Sequence, residues 1–334
     1  MFIIFYLLEH SLLTIKLPYI SAASTISHQP TFENAGFSSS IEPFNESSEL
    51  KVPNFKDYID AGLLRRMSKI LRMSVTCAKD CLEQSGIIQP DSIIVGTGLG
   101  CLQDTEKFLN NFLTIEGLLP PTSFIQSTHN TIAGQISLSI GNHGYNMTHT
   151  QNSLSFEHAL LDSILLLNEE DKNVLVGAAD EQIEILDTIS NELKLAPILL
   201  TSGTSFFMLS NEKTEKVLAR ITDVETVGFV NDIAETIDLF LENNSIGKSE
   251  IDQVLFSGFN DSDSFLHSHF NHISDPCRFV NYALYSGMYF TNSAFALHFA
   301  VDNMQINRDI RNVLICNNLN KINLGLTLVQ SIEA

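Results

Sequence analysis

Short runs of β-branched and other apolar residues alternate with longer amphipathic stretches along the whole chain, and the alternation runs through twice. That rhythm admits few architectures: strands separated by helix-length segments pair in parallel and bury both faces of their sheet. In the first series, residues 16–26, 92–96 and 173–178 read as strands. Residues 63–86, 104–112, 131–140 and 155–167 read as helices, the first carrying Met67, Ile70, Leu71, Val75, Ala78 and Leu82 at three- and four-residue spacing with Gly86 as its stop. In the second series, residues 205–210 and 217–227 predict a hairpin of strands. A helix at 232–243, a strand at 253–257, a helix at 291–302 and closing strands at 313–316 and 325–330 follow. Residues 32–55, rich in Ser, Asn, Pro and Glu, read as a surface excursion. The expected class is α/β, built from two halves, 1–195 and 196–334, that divide near residues 195–203 and share one interface.

With 334 residues, 44% hydrophobic and 17% charged, the chain is able to bury a large core. Nineteen Lys and Arg stand against thirty-nine Asp and Glu, a formal net charge of -20, which repels nucleic acid, anionic membranes and acidic partners. Cys77, Cys81, Cys101, Cys277 and Cys316 are odd in number and form neither a paired metal motif nor a disulfide framework, so reduced thiols in a cytoplasm are expected. The apolar run Met1 to Leu8 lacks a basic flank and is cut by Glu9 and His10. It therefore predicts an extra strand or helix start, or an upstream start codon, rather than a signal peptide or anchor.

Several motifs fail as chemistry. Gly96-Thr-Gly98-Leu-Gly100 follows a strand, but a dinucleotide fingerprint would need its third glycine at Cys101; close approach of backbone segments explains the glycines. There is no phosphate-binding GxxxxGK[ST] loop and no GxSxG elbow. His267, His269 and His272, behind Asp261 and Asp263, lack regular ligand spacing and read as a polar surface loop, so no metal is expected. Asp180 and Glu181 at a strand end point to opposite faces, which suits capping of the following segment rather than joint acid and base work.

Arg65-Arg66-Met67, Gly96 to Gly100, Pro121-Thr-Ser-Phe-Ile-Gln-Ser-Thr-His-Asn-Thr-Ile-Ala-Gly134, Ser155-Phe-Glu-His-Ala159 and Val174-Leu-Val-Gly-Ala-Ala-Asp-Glu181 together resemble a β-ketoacyl synthase. The resemblance is to the short ketosynthase-like and chain-length-factor-like proteins of bacterial polyketide and aryl-polyene-type clusters, and it runs in outline from Ile15 to Gln330. It implies a thiolase-like fold of five α-β-α-β-α layers made of two duplicated halves, dimerisation through paired strands, and no cofactor. Active members carry a cysteine at a tight turn before a buried helix, where backbone N–H groups and the helix dipole favour the thiolate and the oxyanion.

Here that turn reads Thr148-His-Thr-Gln-Asn-Ser-Leu-Ser155 and holds no cysteine; counting from Gly134 puts the nucleophile slot at Ser153, and counting back from Gly177 puts it at Asn152. Gln151 lies beside it, and a Gln at this turn marks chain length factors. The resemblance places the first catalytic histidine at Ser257, in Ser257-Gly258-Phe259-Asn260. It places the lysine at Ala283, the second histidine at Met288, and the glycine-rich gate at Leu319-Asn-Lys-Ile322. Loss of all these groups predicts a non-condensing partner of an active ketosynthase that meets the acyl carrier protein indirectly. Two other readings stand beside it. One is an acyltransferase or thioesterase using Ser153 or Ser155 with His129 or His149 as base; the other is an acyl-binding homodimer.

Overall fold

The computed structural model describes residues 17–192, 200–258, 263–275 and 278–332. The apolar run at Met1 to Leu8 with Glu9 and His10, the predicted strand start at Lys16, the division at Leu195, and Phe259, Asn260, Asp261 and Cys277 lie outside the described residues.

The strands are β1 (Tyr19–Ile26), β2 (Ser92–Gly96), β3 (Tyr145–His149), β4 (Asn173–Asp180), β5 (Gly203–Ser210), β6 (Ala219–Val227), β7 (Gln253–Ser257), β8 (Phe279–Asn281), β9 (Asn312–Asn317) and β10 (Leu324–Gln330). They lie in the order β3-β2-β4-β5-β1-β6-β10-β9-β7-β8. Read outward from the centre, β1-β5-β4-β2-β3 and β6-β10-β9-β7-β8 are one order used twice. β2 is parallel to β3 and β4, as β7 is to β8 and β9, while β5 and β10 run antiparallel to the strands beside them. The arms join through the short pairing Tyr19↔Arg220 and Ile20↔Ala219.

The predicted hairpin of residues 205–210 and 217–227 does not form, because β1 lies between those strands. Every residue of β5 is buried, so both of its edges need a neighbour, and β4 and β1 supply them. β6 buries only Ala219, Ile221 and Val224, and beside it Leu218 N donates to Ile20 O. β5 therefore completes the first arm, and in strand order the repeat divides between Ser210 and Ala219 rather than near residue 195.

The main helices are α1 (Lys69–Ser85), α2 (Leu102–Thr114), α3 (Thr131–Ile140), α4 (Ser155–Glu169), α5 (Ile233–Asn243) and α6 (Ser293–Ile306). The helix expected over residues 63–86 breaks into a single turn at Ala61–Leu64 and α1; Gly86 ends α1 at φ 73 with its N–H on Leu82 O and Glu83 O. Phe156, Ala159 and Leu160 of α4 share one core with Phe295, Ala296 and Phe299 of α6, closed by Ile94, Val176 and Phe207 of the first arm and Ile221, Leu255 and Ile315 of the second. α1 and α3 pack on the far face of the first arm, and α5 on that of the second. β1 shows the division within one strand: Ile20 and Ala23 face the central core, Ala22 and Ile26 the outer one. The result is five layers, with α4 and α6 in the middle.

Candidate functional site

The parallel strands β2, β3, β4, β7 and β9 end on one side, where loops and the N-termini of central helices collect polar groups. β2 runs into Gly96-Thr-Gly98, and a Cβ at Gly96 would sit 2.5 Å from Ser155 O, so the glycine is what lets α4 start against the sheet. Asp180, at the end of β4, is buried and ties this corner together. Its Oδ1 accepts from Thr97 Oγ1 (3.1 Å), Gly98 N (2.9 Å) and Leu99 N (3.1 Å), and its Oδ2 accepts from Thr291 N (3.1 Å) and Thr291 Oγ1 (2.8 Å). Burial raises its carboxyl above the usual range and these donors pull it back. Glu181 caps α2, accepting from Gln103 N at 3.0 Å, and burial pushes it up to about 7. Capping is thus the role of both acids, but of β2's loop, the approach to α6, and α2 rather than of the segment that follows them.

At the turn before α4, Asn152 has φ 56, in the left-handed region that Asn tolerates better than most side chains, and its Oδ1 accepts from Ser153 N at 2.9 Å. The strained backbone falls on Asn152, not Ser153. Gln151 and Asn152 are exposed and Ser153 is buried, its hydroxyl without a partner among the described residues. Ser155 Oγ lies 2.7 Å from Asn152 O and 3.0 Å from Thr97 O. Asn317, at the end of β9, donates from Nδ2 to Ser153 O (2.7 Å) and to Glu157 Oε1 (2.8 Å), and burial raises the Glu157 carboxyl. From Asn318 the link continues to Ser257 O (3.1 Å), and Ser257 Oγ donates to Tyr282 OH at 2.8 Å.

The structure therefore brings Asn152, Ser153 and Ser257 into one connected polar centre. Ala283 opens the short helix Ala283–Ser286 directly after Tyr282, and Met288, half-buried, accepts Thr201 N on its carbonyl at 3.0 Å. The gate stretch reaches positive φ without a glycine. Lys321 has φ 60, in a turn where Asn318 O accepts Lys321 N and Asn320 Oδ1 accepts Ile322 N and Asn323 N.

The histidines are not gathered with the serines. His149 Nε2 pairs with Asp162 Oδ2 at 2.9 Å on the outer side of α4, and His129 is exposed against Gly100. Among the described residues neither Ser153 nor Ser155 hydrogen-bonds to a histidine. His269 is paired with Asp238, His272 Nε2 lies 2.9 Å from Ile251 O and His267 packs against Phe279 with the rings tilted, so these side chains are engaged in packing and hydrogen bonding; no metal-ligand cluster occurs among the described residues. Glu157, Asn317 and Tyr282 escaped the sequence reading. The signal for Glu157 is an acid among the buried positions Phe156, Ala159 and Leu160 of α4.

Charge is unevenly spread. Arg65, Arg66, Lys69, Arg72 and Lys107 line one groove of roughly 1030 Å³ beside the buried Asp104, in a chain of net charge -20. The outermost strand β3 exposes Tyr145 and Met147, with exposed Leu138 on α3 and Leu165 on α4. Phe108, Phe112 and Phe124 cluster on and beside α2, with Phe112 and Phe124 exposed.

No curated protein matches this chain by sequence. Among solved structures, it is similar to the ishigamide ketosynthase/chain length factor at TM-score 0.79 and 14% identity, over 95% of this chain and 99% of that one. It is similar to a type II polyketide synthase acyl-carrier protein in complex with its ketosynthase bound to the hexaketide, at TM-score 0.78 and 15% identity over 95% and 100%. A third is a ketosynthase in complex with its chain length factor from Xenorhabdus doucetiae, at TM-score 0.58 and 14% identity over 94% and 99%. The α/β thiolase-like fold is thus the one expected. Residues 45–225, more than half of the chain, match the family described as Beta-ketoacyl synthase, N-terminal domain. The chain belongs to the β-ketoacyl synthase family.

Proposed function

We propose that this protein is a non-condensing β-ketoacyl synthase homologue that works as the chain-length-factor-like partner of an active ketosynthase in fatty acid or polyketide-type biosynthesis. One observation carries the reading: the turn before α4 keeps a left-handed backbone at Asn152, where an amide replaces a nucleophile and fills its own neighbouring N–H. An acyl group offered there meets neither an attacking atom nor that oxyanion donor. With Ser257 and Met288 at the histidine positions and Ala283 at the lysine position, decarboxylation of a malonyl group has no base or enolate donor.

The exposed apolar residues around β3 give such a protein its means of acting without reacting. An outermost strand flanked by Leu138 and Leu165 favours pairing with a second subunit, and the exposed Phe112 and Phe124 on and beside α2 would line the far side of that subunit's acyl tunnel. The carrier protein is then engaged mainly through the partner, with the groove of Arg65 to Lys107 as this chain's own positive surface toward an acidic carrier. Reduced, buried Cys77, Cys81, Cys101 and Cys316 favour work in the cytoplasm, and no helix among the described residues is long and apolar enough to cross a membrane.

Co-expression with an active ketosynthase of the same cluster, size-exclusion chromatography and elongation with malonyl-loaded carrier protein test this. Coelution and length-altered elongation, unchanged by Ser153→Ala, are expected. Acyl transfer by the lone chain that disappears in Ser153→Ala would sink the proposal.

A further inference from the structure

Away from that polar centre, a cavity of roughly 700 Å³ opens on the seam between the two arms. Its walls come from the end of α1, the loop at residues 31–36, one side of α6 and the link that precedes β6, with Ala23 of β1 on its floor. Neither the resemblance nor the proposed partner role uses this space. Its size suits a small organic molecule.

Two nearly buried side chains present bare acceptor atoms here. Asp80 is 4% exposed and takes both its hydrogen bonds, from Ser24 Oγ and Gln84 Nε2, on Oδ2, so Oδ1 is left without a partner among the described residues. His298 is 9% exposed and engages Thr25 Oγ1 through Nδ1 at 2.8 Å. Thr25 spends its own hydrogen on Ser205 Oγ at 2.8 Å, so its oxygen is the acceptor and Nδ1 carries the imidazole proton. Nε2, with no partner among the described residues, is therefore a lone-pair acceptor. Burial pushes His298 down to about 4, against the pull of Asp302, which keeps the ring neutral near pH 7.

The rest of the wall deepens the same bias. Glu33, Glu83 and Asp302 face the cavity, and Lys216 is the cation that opposes them, its Nζ held toward Gln84 O. Asp302 already holds Gly36 N on Oδ1 and Ser38 N on Oδ2, so neither of its oxygens is bare and its main contribution is field. Acceptors without donors, under a negative field, select a cationic donor. Among the described residues no three His, Cys, Asp or Glu side chains converge as a metal would need, and both bare atoms suit N–H donors.

We propose that this seam cavity binds a small organic amine, its ammonium donating to Asp80 Oδ1 and to His298 Nε2. Because the walls belong to both arms, occupancy ties the arms together.

Titration with putrescine, followed by calorimetry and by the His298 ¹⁵N resonances, tests the site on the intact protein at physiological ionic strength. Saturable binding that moves the Nε2 resonance is expected. Asp80→Asn should weaken it about tenfold, the loss of one charge-assisted hydrogen bond, and the exposed rim variant Glu83→Gln about threefold. Glu170→Gln, an exposed acid at the C-terminal end of α4 that does not line the cavity, should leave it unchanged. The proposal is overturned if Nε2 does not move, or if Glu170→Gln weakens binding as much as Glu83→Gln, because the amine would then be reading only the overall charge of -20. Should Asp80→Asn fail to fold, the Glu83→Gln and resonance arms decide alone.

Discussion

The two arms repeat one strand order and finish it in opposite ways. In the first arm the outermost strand, β3, is five residues long and exposes Tyr145 and Met147. In the second arm the equivalent strand, β8, is three residues long, with Phe279 and Val280 buried and the His267 ring 4.2 Å from that of Phe279. A short, covered edge offers no template to another chain, whereas a longer uncovered one does. The same position in a duplicated fold has been closed for stability in one copy and left open in the other.

The largest effect should come from exchanging those properties. Phe279→Ala removes a buried ring and is expected to cost about 3 kcal/mol in urea unfolding, while Met147→Ala should cost less than about 0.5 kcal/mol. Association should show the reverse: Met147→Asp with Tyr145→Asp abolishes coelution with the ketosynthase and leaves the unfolding midpoint nearly unchanged. Equal stability losses at the two edges would erase the distinction.

A second contrast lies at the fourth strand of each arm. β4 ends in Asp180 and Glu181, and its counterpart β9 ends in Asn317 and Asn318. Amides hold their loops at every pH, but Glu181 binds its proton more tightly folded, about 7, than unfolded, 4.5. The folded state therefore holds more protons between those values, and the contribution of Glu181 to stability is fully present below about 4.5 and is lost as pH rises through about 7. Asp180, Glu157 and Asp80 are shifted in the same direction by burial. Thermal unfolding at pH 5 and pH 7.5 should show the loss, with Glu181→Gln narrowing the gap by on the order of 2 kcal/mol. A gap unchanged by Glu181→Gln would mean that the α2 cap is not where the proton resides.

These contrasts also mark what the sequence carried. β2, β4, β7 and β9 were legible because strands buried on both faces are written as unbroken apolar runs. β3 was not, since Tyr-Asn-Met-Thr-His on an open edge has no apolar period, and β8 is too short to show one. The false hairpin followed from adjacency in sequence, which cannot reveal that β1, nearly two hundred residues earlier, takes the place between β5 and β6. The slots at Ser257, Ala283 and Met288 were visible only through the resemblance. Glu157, Asn317 and Tyr282 meet across more than a hundred residues, and no local pattern announces such a meeting.

The smallest predicted effect separates shape from chemistry at the α4 turn. Left-handed backbone costs an ordinary side chain roughly 1–2 kcal/mol and glycine almost nothing. Asn152→Ala should therefore destabilise by about 1 kcal/mol, through the backbone and the lost bond to Ser153 N, while Asn152→Gly should fall within about 0.5 kcal/mol of the parent. In the partner-subunit reading neither substitution alters elongation by the complex. Asn152→Cys restores a thiol to the turn, and it should be alkylated by iodoacetamide yet give no condensation, because Ser257 and Met288 supply no base. Condensation by the isolated Asn152→Cys chain would show that the second arm still holds working chemistry and that the missing activity lies in the α4 turn of the first arm alone.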